Sequence, residues 1–188
     1  SFLGSLDTTN VTAYKLFSGT GELSGATAQL NGASIAIIEG YSSIGPSAFS
    51  NASSLTSIII PKSVTSIGYY AFMNTTSLVL ITIPASVTSI GASAFQYATS
   101  LTSINVDQSN QYYKDIDGVL FDYSGATLIQ YPVGNNTRTN YEIPASVTEI
   151  GGGAFSSVTS LTSITIPKSV TEIGGYAFAY TTNLTSVI

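Results

Sequence analysis

The sequence has no histidine and no cysteine, and it contains only five basic and ten acidic residues among 188. The first two absences exclude zinc sites built on these residues, thiol nucleophiles, Ser–His–Asp catalytic sets and a disulfide framework. The few cations and the formal charge of −5 argue against nucleic-acid binding, which depends on basic contacts to phosphate. No apolar run approaches the roughly 18 residues of a membrane-spanning helix. We therefore expect no membrane insertion by this segment, no metal and no cofactor.

What the sequence does contain is a core-forming 44% of apolar residues, arranged in a repeat. An Ile-Gly pair recurs with steps of 23, 23, 60 and 23 residues, an Ala-Phe pair follows each copy at a fixed distance, and prolines keep the same frame. A fixed period of this length is typical of a solenoid, in which each unit stacks on the next. The positions are Ile44, Ile67, Ile90, Ile150 and Ile173 for the first pair, Phe49, Phe72, Phe95, Phe155 and Phe178 for the second, and Pro61, Pro84, Pro144 and Pro167 for the prolines.

Each unit reads as two short strands and a turn. In residues 161–167, "LTSITIP", apolar and polar side chains alternate with period two, and Pro167 ends the strand because it has no N–H to donate. A second extended piece follows in "SVTEIG", and "GYAFAY" is long enough only for a short helical turn. One unit alone buries too little apolar surface to offset the ordering of its backbone, so the units must stack. Stacking in register predicts that the phenylalanines form one column.

The frame breaks in three places. Residues 1–33 do not match the unit, and we predict that this glycine-rich segment caps a repeat domain of residues 34–188, whose first copy is degraded. A segment of about residues 107–140 interrupts the repeat. Its pieces "GVLF" and "LIQY" flank a glycine-containing turn and predict a β-hairpin insertion. The sequence stops inside a strand pattern, so we expect the natural protein to continue past residue 188.

The unit "SLTSITIPKSVTEIGGYAFAYTTNL" resembles the BspA-like leucine-rich repeats, also called the Treponema type, and the resemblance covers about residues 34–188. It implies a leucine-rich-repeat solenoid of the α/β horseshoe class, dominated by β-structure, with short helical turns. It also implies an extracellular or cell-surface protein of a bacterium or protist and a role in adhesion. Members often carry cysteine three residues after the phenylalanine. Here small or β-branched residues stand there instead and can fill the same volume: Ala52, Thr75, Ala98, Val158 and Thr181.

The outward-facing residues of the first strand of each unit are the main candidates for partner binding. The resemblance places them on the concave face, where they form a flat and nearly uncharged surface suited to a protein or a glycan; the alternative is a merely solvated face. We call these ten residues the strand row: Ser57, Ile59, Leu80, Thr82, Ser103, Asn105, Asn140, Glu142, Ser163 and Thr165.

The insertion supplies a second set of candidates, since tyrosine offers a large contact area at low entropic cost. These are Tyr112, Tyr113, Tyr123 and Tyr131, with Tyr141 close behind, and the alternative is that the rings pack the hairpin onto the solenoid. The nearby "DIDG" contains Asp115 and Asp117 but lacks the later ligands of a calcium loop, so an Asp-Gly turn is the better interpretation. Sequons occur at Asn10, Asn51, Asn74, Asn135 and Asn183, and the sequence does not settle whether they are glycosylated.

Two functions remain open. The first is a secreted or cell-surface adhesion module that binds a protein or glycan on a host or neighbouring cell. The second is a structural spacer whose activity lies in sequence outside this segment. Regular Ser and Thr rows also permit contact with a repeating surface such as ice, but Leu80 and Asn105 interrupt them. We do not expect an enzyme: Glu149 and Glu172 lie one period apart, but on an open strand position rather than in a cleft.

Overall fold

The computed structural model describes residues 14–188 and shows a β-dominated solenoid of two strand ladders with one four-residue helix, α1 (Ala26–Gln29), in that range. The first strand of each coil contributes to one ladder and the second strand to the other. The first-ladder strands are β1 (Tyr14–Ser18), β3 (Ile35–Glu39), β5 (Ser57–Ile59), β7 (Leu80–Ile83), β9 (Ser103–Val106), β13 (Asn140–Glu142), β15 (Ser163–Thr165) and β17 (Ser186–Val187). The second-ladder strands are β2 (Glu22–Leu23), β4 (Ser43–Ile44), β6 (Ser66–Ile67), β8 (Ser89–Ile90), β12 (Thr127–Gln130), β14 (Glu149–Ile150) and β16 (Glu172–Ile173), and the insertion adds β10 (Tyr113–Ile116) and β11 (Val119–Asp122).

On each side of the insertion, successive coils stack in parallel register as the repeat predicts, although the strand pairing of the first ladder is also broken between β5 and β7. Ile67 pairs with the equivalent isoleucine on either side along the second ladder. The phenylalanines form the expected column: Phe49 and Phe72 stack with ring centroids 5.5 Å apart, and Phe72 and Phe95 with centroids 5.7 Å apart. The interplanar angles are 5° and 4°, so each ring repeats the orientation of the one before it. The predicted solenoid is thus confirmed.

Threonine side chains tie each coil to the one before it. The hydroxyl of Thr88 donates to the carbonyl of Thr65, and that of Thr65 donates to Ser42, both at 3.2 Å. The hydroxyls of Thr162 and Thr185 make the same contact at the start of the other ladder. Because these neutral bonds repeat with the coil, the surface can be rich in threonine and poor in charge while still contributing to the cohesion of the stack.

The described part of the N-terminal segment is itself a coil. β1 pairs in parallel with β3, β2 pairs with β4, and Phe17 packs edge-on against Phe49 with ring centroids 5.6 Å apart. The sequence missed this coil because its strand pairing spans 21 residues, Tyr14 to Ile35, instead of 23. The capping role of residues 1–33 stays a prediction, because residues 1–13 lie outside the described range.

The insertion contains the predicted hairpin, formed by β11 and β12, and one strand more. β10 precedes it and pairs antiparallel with β11. β12 then turns parallel and pairs with β14, so the end of the insertion rejoins the second ladder. Within the described residues, no sheet contains strands from both sides of residues 107–112. The buried side chains accordingly form two clusters, one centred on Phe49, Phe72 and Phe95 and the other on Phe155.

Across residues 14–188, no helix has the length and apolar character that a bilayer crossing would require.

Candidate functional site

The strand row splits into two chemically different halves. In the N-terminal half, Ser57, Ile59, Leu80 and Thr82 are all exposed, while the residues between them point into the core. Ile59 and Leu80 keep 53% and 45% of their surface in contact with solvent. Two large aliphatic side chains thus lie open on adjacent strands, where burial against a partner would remove their contact with water.

The structure extends this apolar surface to residues that the sequence analysis missed. Tyr14 and Leu16 on β1 pair with Ile35 and Ile37 on β3, and Ile37 pairs in turn with Ile59 on β5. Tyr14 is 49% and Leu16 is 45% exposed. The sequence carries little signal for these outward positions, because residues 35–38 are all apolar and Leu16 and Phe17 are adjacent. We call the resulting group the apolar patch: Tyr14, Leu16, Ile35, Ile37, Ile59 and Leu80.

The C-terminal half of the strand row is polar and partly covered. The Ser103 hydroxyl donates to the Asn105 side-chain oxygen at 2.6 Å, and both side chains are half-buried. Gly118, at the tip of the β10–β11 turn, lies against Ser103. Beyond the insertion, Asn140 and Glu142 are exposed, whereas Ser163 and Thr165 are half-buried. The row is therefore interrupted at β9 and does not form one continuous surface.

The insertion tyrosines divide between solvent and core. Tyr112 and Tyr123 are 53% and 50% exposed and remain available to a partner. The Tyr113 hydroxyl accepts a hydrogen bond from the Ile90 N–H at 2.9 Å, at the open edge of β8. Burial raises the pKa of Tyr113, and that hydrogen bond offsets part of the effect. Tyr131 as a binding candidate is wrong, because its side chain is fully buried.

Tyr131 takes the place of a phenylalanine in the column. Its N–H donates to the Ala154 carbonyl at 2.8 Å, as the N–H of Phe155 donates to Ala177 in the next coil. Its ring stacks on Phe155 with centroids 5.3 Å apart. Within the described residues no hydrogen bond of good geometry reaches its hydroxyl. Burial raises the pKa of Tyr131, and the nearby Arg138 guanidinium lowers it in part through its positive charge and a weak hydrogen bond.

The acidic residues considered as ligands or catalysts have structural contacts. Asp117 and Gly118 have φ of 52° and 79° and connect β10 to β11 as a two-residue turn, which confirms the Asp-Gly turn. The Asp115 carboxylate accepts the Val106 N–H at 2.8 Å. Glu149 and Glu172 are cross-strand neighbours, as their spacing predicts. Within residues 14–188, no group of acidic side chains is arranged to hold a metal ion.

The sequons differ in accessibility. Asn51 is exposed, and its side-chain oxygen accepts a 2.8 Å bond from Asn74 one coil away. Asn135 is only 7% exposed, and its side-chain oxygen accepts bonds from the N–H and hydroxyl of Thr137. A glycan on Asn135 would break these contacts in the folded protein. Asn10 lies outside the described residues.

The parallel stack, the buried aliphatic positions and the 23-residue register define a leucine-rich-repeat solenoid. The family model described as the BspA type leucine rich repeat region matches residues 26–137 and 127–188, in six copies. The chain belongs to the BspA-type leucine-rich repeat family.

Solved structures with a similar fold include bacterial surface proteins. The pneumococcal vaccine antigen PcpA matches with a TM-score of 0.76 and 30% identity over 80% of this chain and 38% of that one. A leucine-rich cell surface protein from Faecalibacterium prausnitzii matches with a TM-score of 0.74 and 36% identity over 81% of this chain and 40% of that one. A leucine-rich repeat protein from Eubacterium ventriosum, 24% identical with a TM-score of 0.58, covers 93% of this chain and 63% of that one and shows the fold alone.

The chain spans about two fifths of the length of the first two of these proteins. A comparison with curated protein sequences gives no match. The family and the neighbours are repeat proteins of the surface-protein type rather than enzyme families.

Proposed function

We propose that this chain is a secreted or cell-surface adhesion module that binds a protein partner through the apolar patch on its first-ladder strands. The observation that carries the proposal is the group of outward Tyr, Leu and Ile side chains on four neighbouring coils, of which Tyr14, Leu16, Ile59 and Leu80 are exposed and Ile35 and Ile37 half-buried. Contiguous apolar surface on a folded protein marks interaction sites more often than it marks solvated faces. The similarity to a pneumococcal antigen and to a cell surface protein supports the location and the interaction role.

The patch favours a protein over a glycan as its occupant. Its side chains present methyl groups and one aromatic ring, which match the apolar centre of a protein interface better than the hydroxyl groups of a sugar. Fully burying a Leu or Ile side chain contributes about 1.5–3 kcal/mol, and tenfold in affinity corresponds to about 1.4 kcal/mol. Leu16, Ile59 and Leu80 already have about half of their surface covered, so burial of the rest against a partner contributes about half of this free energy, or about three- to tenfold in affinity for each residue.

The test is a binding screen of the intact chain against extracellular matrix proteins and host-cell surface proteins, followed by titration of each positive. We expect Leu16→Ser, Ile59→Ser and Leu80→Ser each to weaken binding about three- to tenfold, because serine removes methyl groups that the partner would bury. Serine occupies the position of Leu80 in neighbouring coils, at Ser57 and Ser103, and the polar residues Thr82 and Asn105 occupy the position of Leu16 and Ile59, so the fold should tolerate these changes.

Controls separate the patch from the other candidates. Asn105→Ser and Thr165→Ser probe the polar half of the strand row, and Tyr123→Ser probes the insertion; all three should leave binding unchanged. Saturable binding that resists every substitution in the apolar patch would refute its role as the binding surface. If no partner binds saturably, the spacer function becomes the better account of this segment.

A further inference from the structure

A second surface lies on the turns that follow the second-ladder strands, away from the strand row. It is a cleft of about 330 Å³ between the coils before the insertion and those after it. Its floor is formed by small residues, including Ser93 and Gly153, and four tyrosines stand around it: Tyr70, Tyr97, Tyr176 and Tyr180. We call it the tyrosine cleft.

The cleft exists because the inserted coil has a shorter turn than its neighbours. Leu128 pairs with Ile150, and Tyr131 occupies the column position of Phe155. Tyr131 follows Leu128 by three residues, whereas Phe155 follows Ile150 by five. The inserted coil therefore lacks two turn residues, and its turn is recessed between those of the adjacent coils. The floor is closed at the point where Ser93 approaches Gly153.

The tyrosines occupy backbone positions that do not favour them. Tyr70 and Tyr176 have φ of 57° and 58°, at the repeat position that Ser93 and Gly153 hold in other coils. Tyr97 and Tyr180, both with φ of 59°, occupy the position that Asn51 and Asn74 hold elsewhere. Gly and Asn adopt the left-handed region readily, whereas a bulky side chain there is strained.

Core packing does not explain these rings. Tyr70, Tyr176 and Tyr180 are 40%, 82% and 66% exposed. The rings of Tyr97 and Tyr180, which come from coils on opposite sides of the inserted one, approach to a centroid distance of 6.3 Å across the cleft. Strained and exposed aromatic residues that converge on one cleft indicate a binding role.

The lining indicates the chemistry of the ligand. None of the described residues that line the cleft is charged, which favours a neutral ligand over an ionic one. The Ser93 hydroxyl and the Gln96 side-chain amide line the cleft, and both side chains are partly exposed and can bond a ligand. Flat aromatic faces beside paired donors and acceptors match the apolar faces and hydroxyl edges of a sugar ring, and the volume lies at the lower end of the range for ligand pockets, about 300–1,000 Å³.

We propose that the tyrosine cleft is a binding site for a neutral oligosaccharide, with the tyrosine rings stacked on sugar rings and with Ser93 and Gln96 bonding their hydroxyls. This site is independent of the apolar patch. A proline-rich peptide also binds aromatic grooves, but the donor and acceptor groups on the floor favour the sugar.

The test is titration of the intact chain with cellohexaose, laminarihexaose, chitohexaose and mannohexaose by calorimetry and by intrinsic fluorescence. The chain has no tryptophan, so tyrosine supplies all of the fluorescence. We expect at least one hexasaccharide to bind saturably and to perturb the tyrosine emission. Tyr176→Ser and Tyr180→Ser should each weaken that binding at least tenfold, whereas Tyr123→Ser, an equally drastic change on the exposed insertion, should not. Serine occupies both turn positions in other coils, at Ser47 and Ser157, so these turns should still form.

A variant that fills the cleft distinguishes loss of the binding site from loss of the fold. A Cβ atom added at Gly175 would meet nothing within 4 Å, so Gly175→Leu should fold normally, as circular dichroism can verify, while obstructing the cleft and abolishing binding. The proposal is overturned if none of the four hexasaccharides binds, if binding survives the tyrosine and Gly175 variants, or if decaproline binds in the cleft and the hexasaccharides do not. None of these results would bear on protein binding at the apolar patch.

Discussion

At the scale of single residues, four of the five positions three residues after a phenylalanine fill the core: Ala52, Ala98 and Val158 are buried, and the buried Thr75 hydroxyl donates to the Phe72 carbonyl at 2.8 Å. The fifth, Thr181, is half-buried, and its hydroxyl makes the same bond to the Phe178 carbonyl at 2.7 Å. The sequence did not identify Tyr131 as a member of the aromatic column, because its coil contains no Ile-Gly or Ala-Phe pair. Without that landmark, neither its burial nor the shortened turn that forms the tyrosine cleft could be predicted.

The buried hydroxyl of Tyr131 leads to a stability prediction. Tyr131→Phe restores the residue of the column and removes a buried hydroxyl that no hydrogen bond of good geometry reaches within the described residues, so we expect stabilisation by about 1 kcal/mol. The reciprocal variant Phe155→Tyr introduces a hydroxyl into the same column and should destabilise by about 1–3 kcal/mol. Urea unfolding measures both. A loss of stability in Tyr131→Phe would mean that the hydroxyl is bonded, to Arg138 or to water.

At the scale of elements, the insertion shows what local patterns can predict. The turn between β11 and β12 and the Asp-Gly turn could both be predicted from the sequence, since each depends on residues adjacent in the chain. β10 could not be predicted, because "YKDI" lacks strand alternation and because its pairing with β11 is supplemented by bonds from other coils, from Val106 to Asp115 and from Ile90 to Tyr113. Long-range hydrogen bonds of this kind leave no periodic signal.

The β11–β12 turn carries a pH-dependent contribution to stability. Burial by itself raises the pKa of Asp122, but the bonds from the Ser124 hydroxyl, the Thr127 N–H and the Ser124 N–H outweigh it, and the net pKa is lowered from its ordinary 3.8. A lowered folded-state pKa stabilises the fold above the ordinary value, and this contribution is lost as pH falls through the folded-state pKa. Asp122→Asn should therefore destabilise at pH 7 and less so at pH 3.

The measurement is urea unfolding of wild type and Asp122→Asn at both pH values. Glu142→Gln, which removes an exposed carboxylate on β13, serves as the control and should show no such difference. A destabilisation by Asp122→Asn that is equal at pH 7 and pH 3 would contradict the role of the charged carboxylate.

At the scale of the whole molecule, the repeat predicted one continuous stack, and the structure shows two cores that divide within the insertion, where Leu120 packs in the first core and Phe121 and Leu128 in the second. The repeat period predicts the stack because the regular coils share it. The division into two cores depends on where the inserted strands lie, which the period does not indicate. Stability in stacked repeats is dominated by contacts between neighbouring coils, so a defect in one core should spread mainly within that core.

Hydrogen exchange tests this division. Phe72→Ala removes a ring from the first core and Phe155→Ala one from the second, each at an expected cost of about 3–5 kcal/mol. We expect Phe72→Ala to accelerate exchange mainly in β3–β9 and Phe155→Ala mainly in β12–β16, as followed by mass spectrometry of peptides. Equal acceleration along the whole chain in both variants would show that the two cores behave as one cooperative unit.

The interruption of both ladders also bears on how the protein would respond to mechanical load, which an adhesion module on a surface would experience. Between β9 and the second core, the chain is connected by scattered bonds, among them those from Ile104 to Gly118 and from Gly134 to Leu101, instead of by a parallel sheet. Under tension applied at its two ends, the solenoid should yield at this layer first, so that one half extends while the other stays folded.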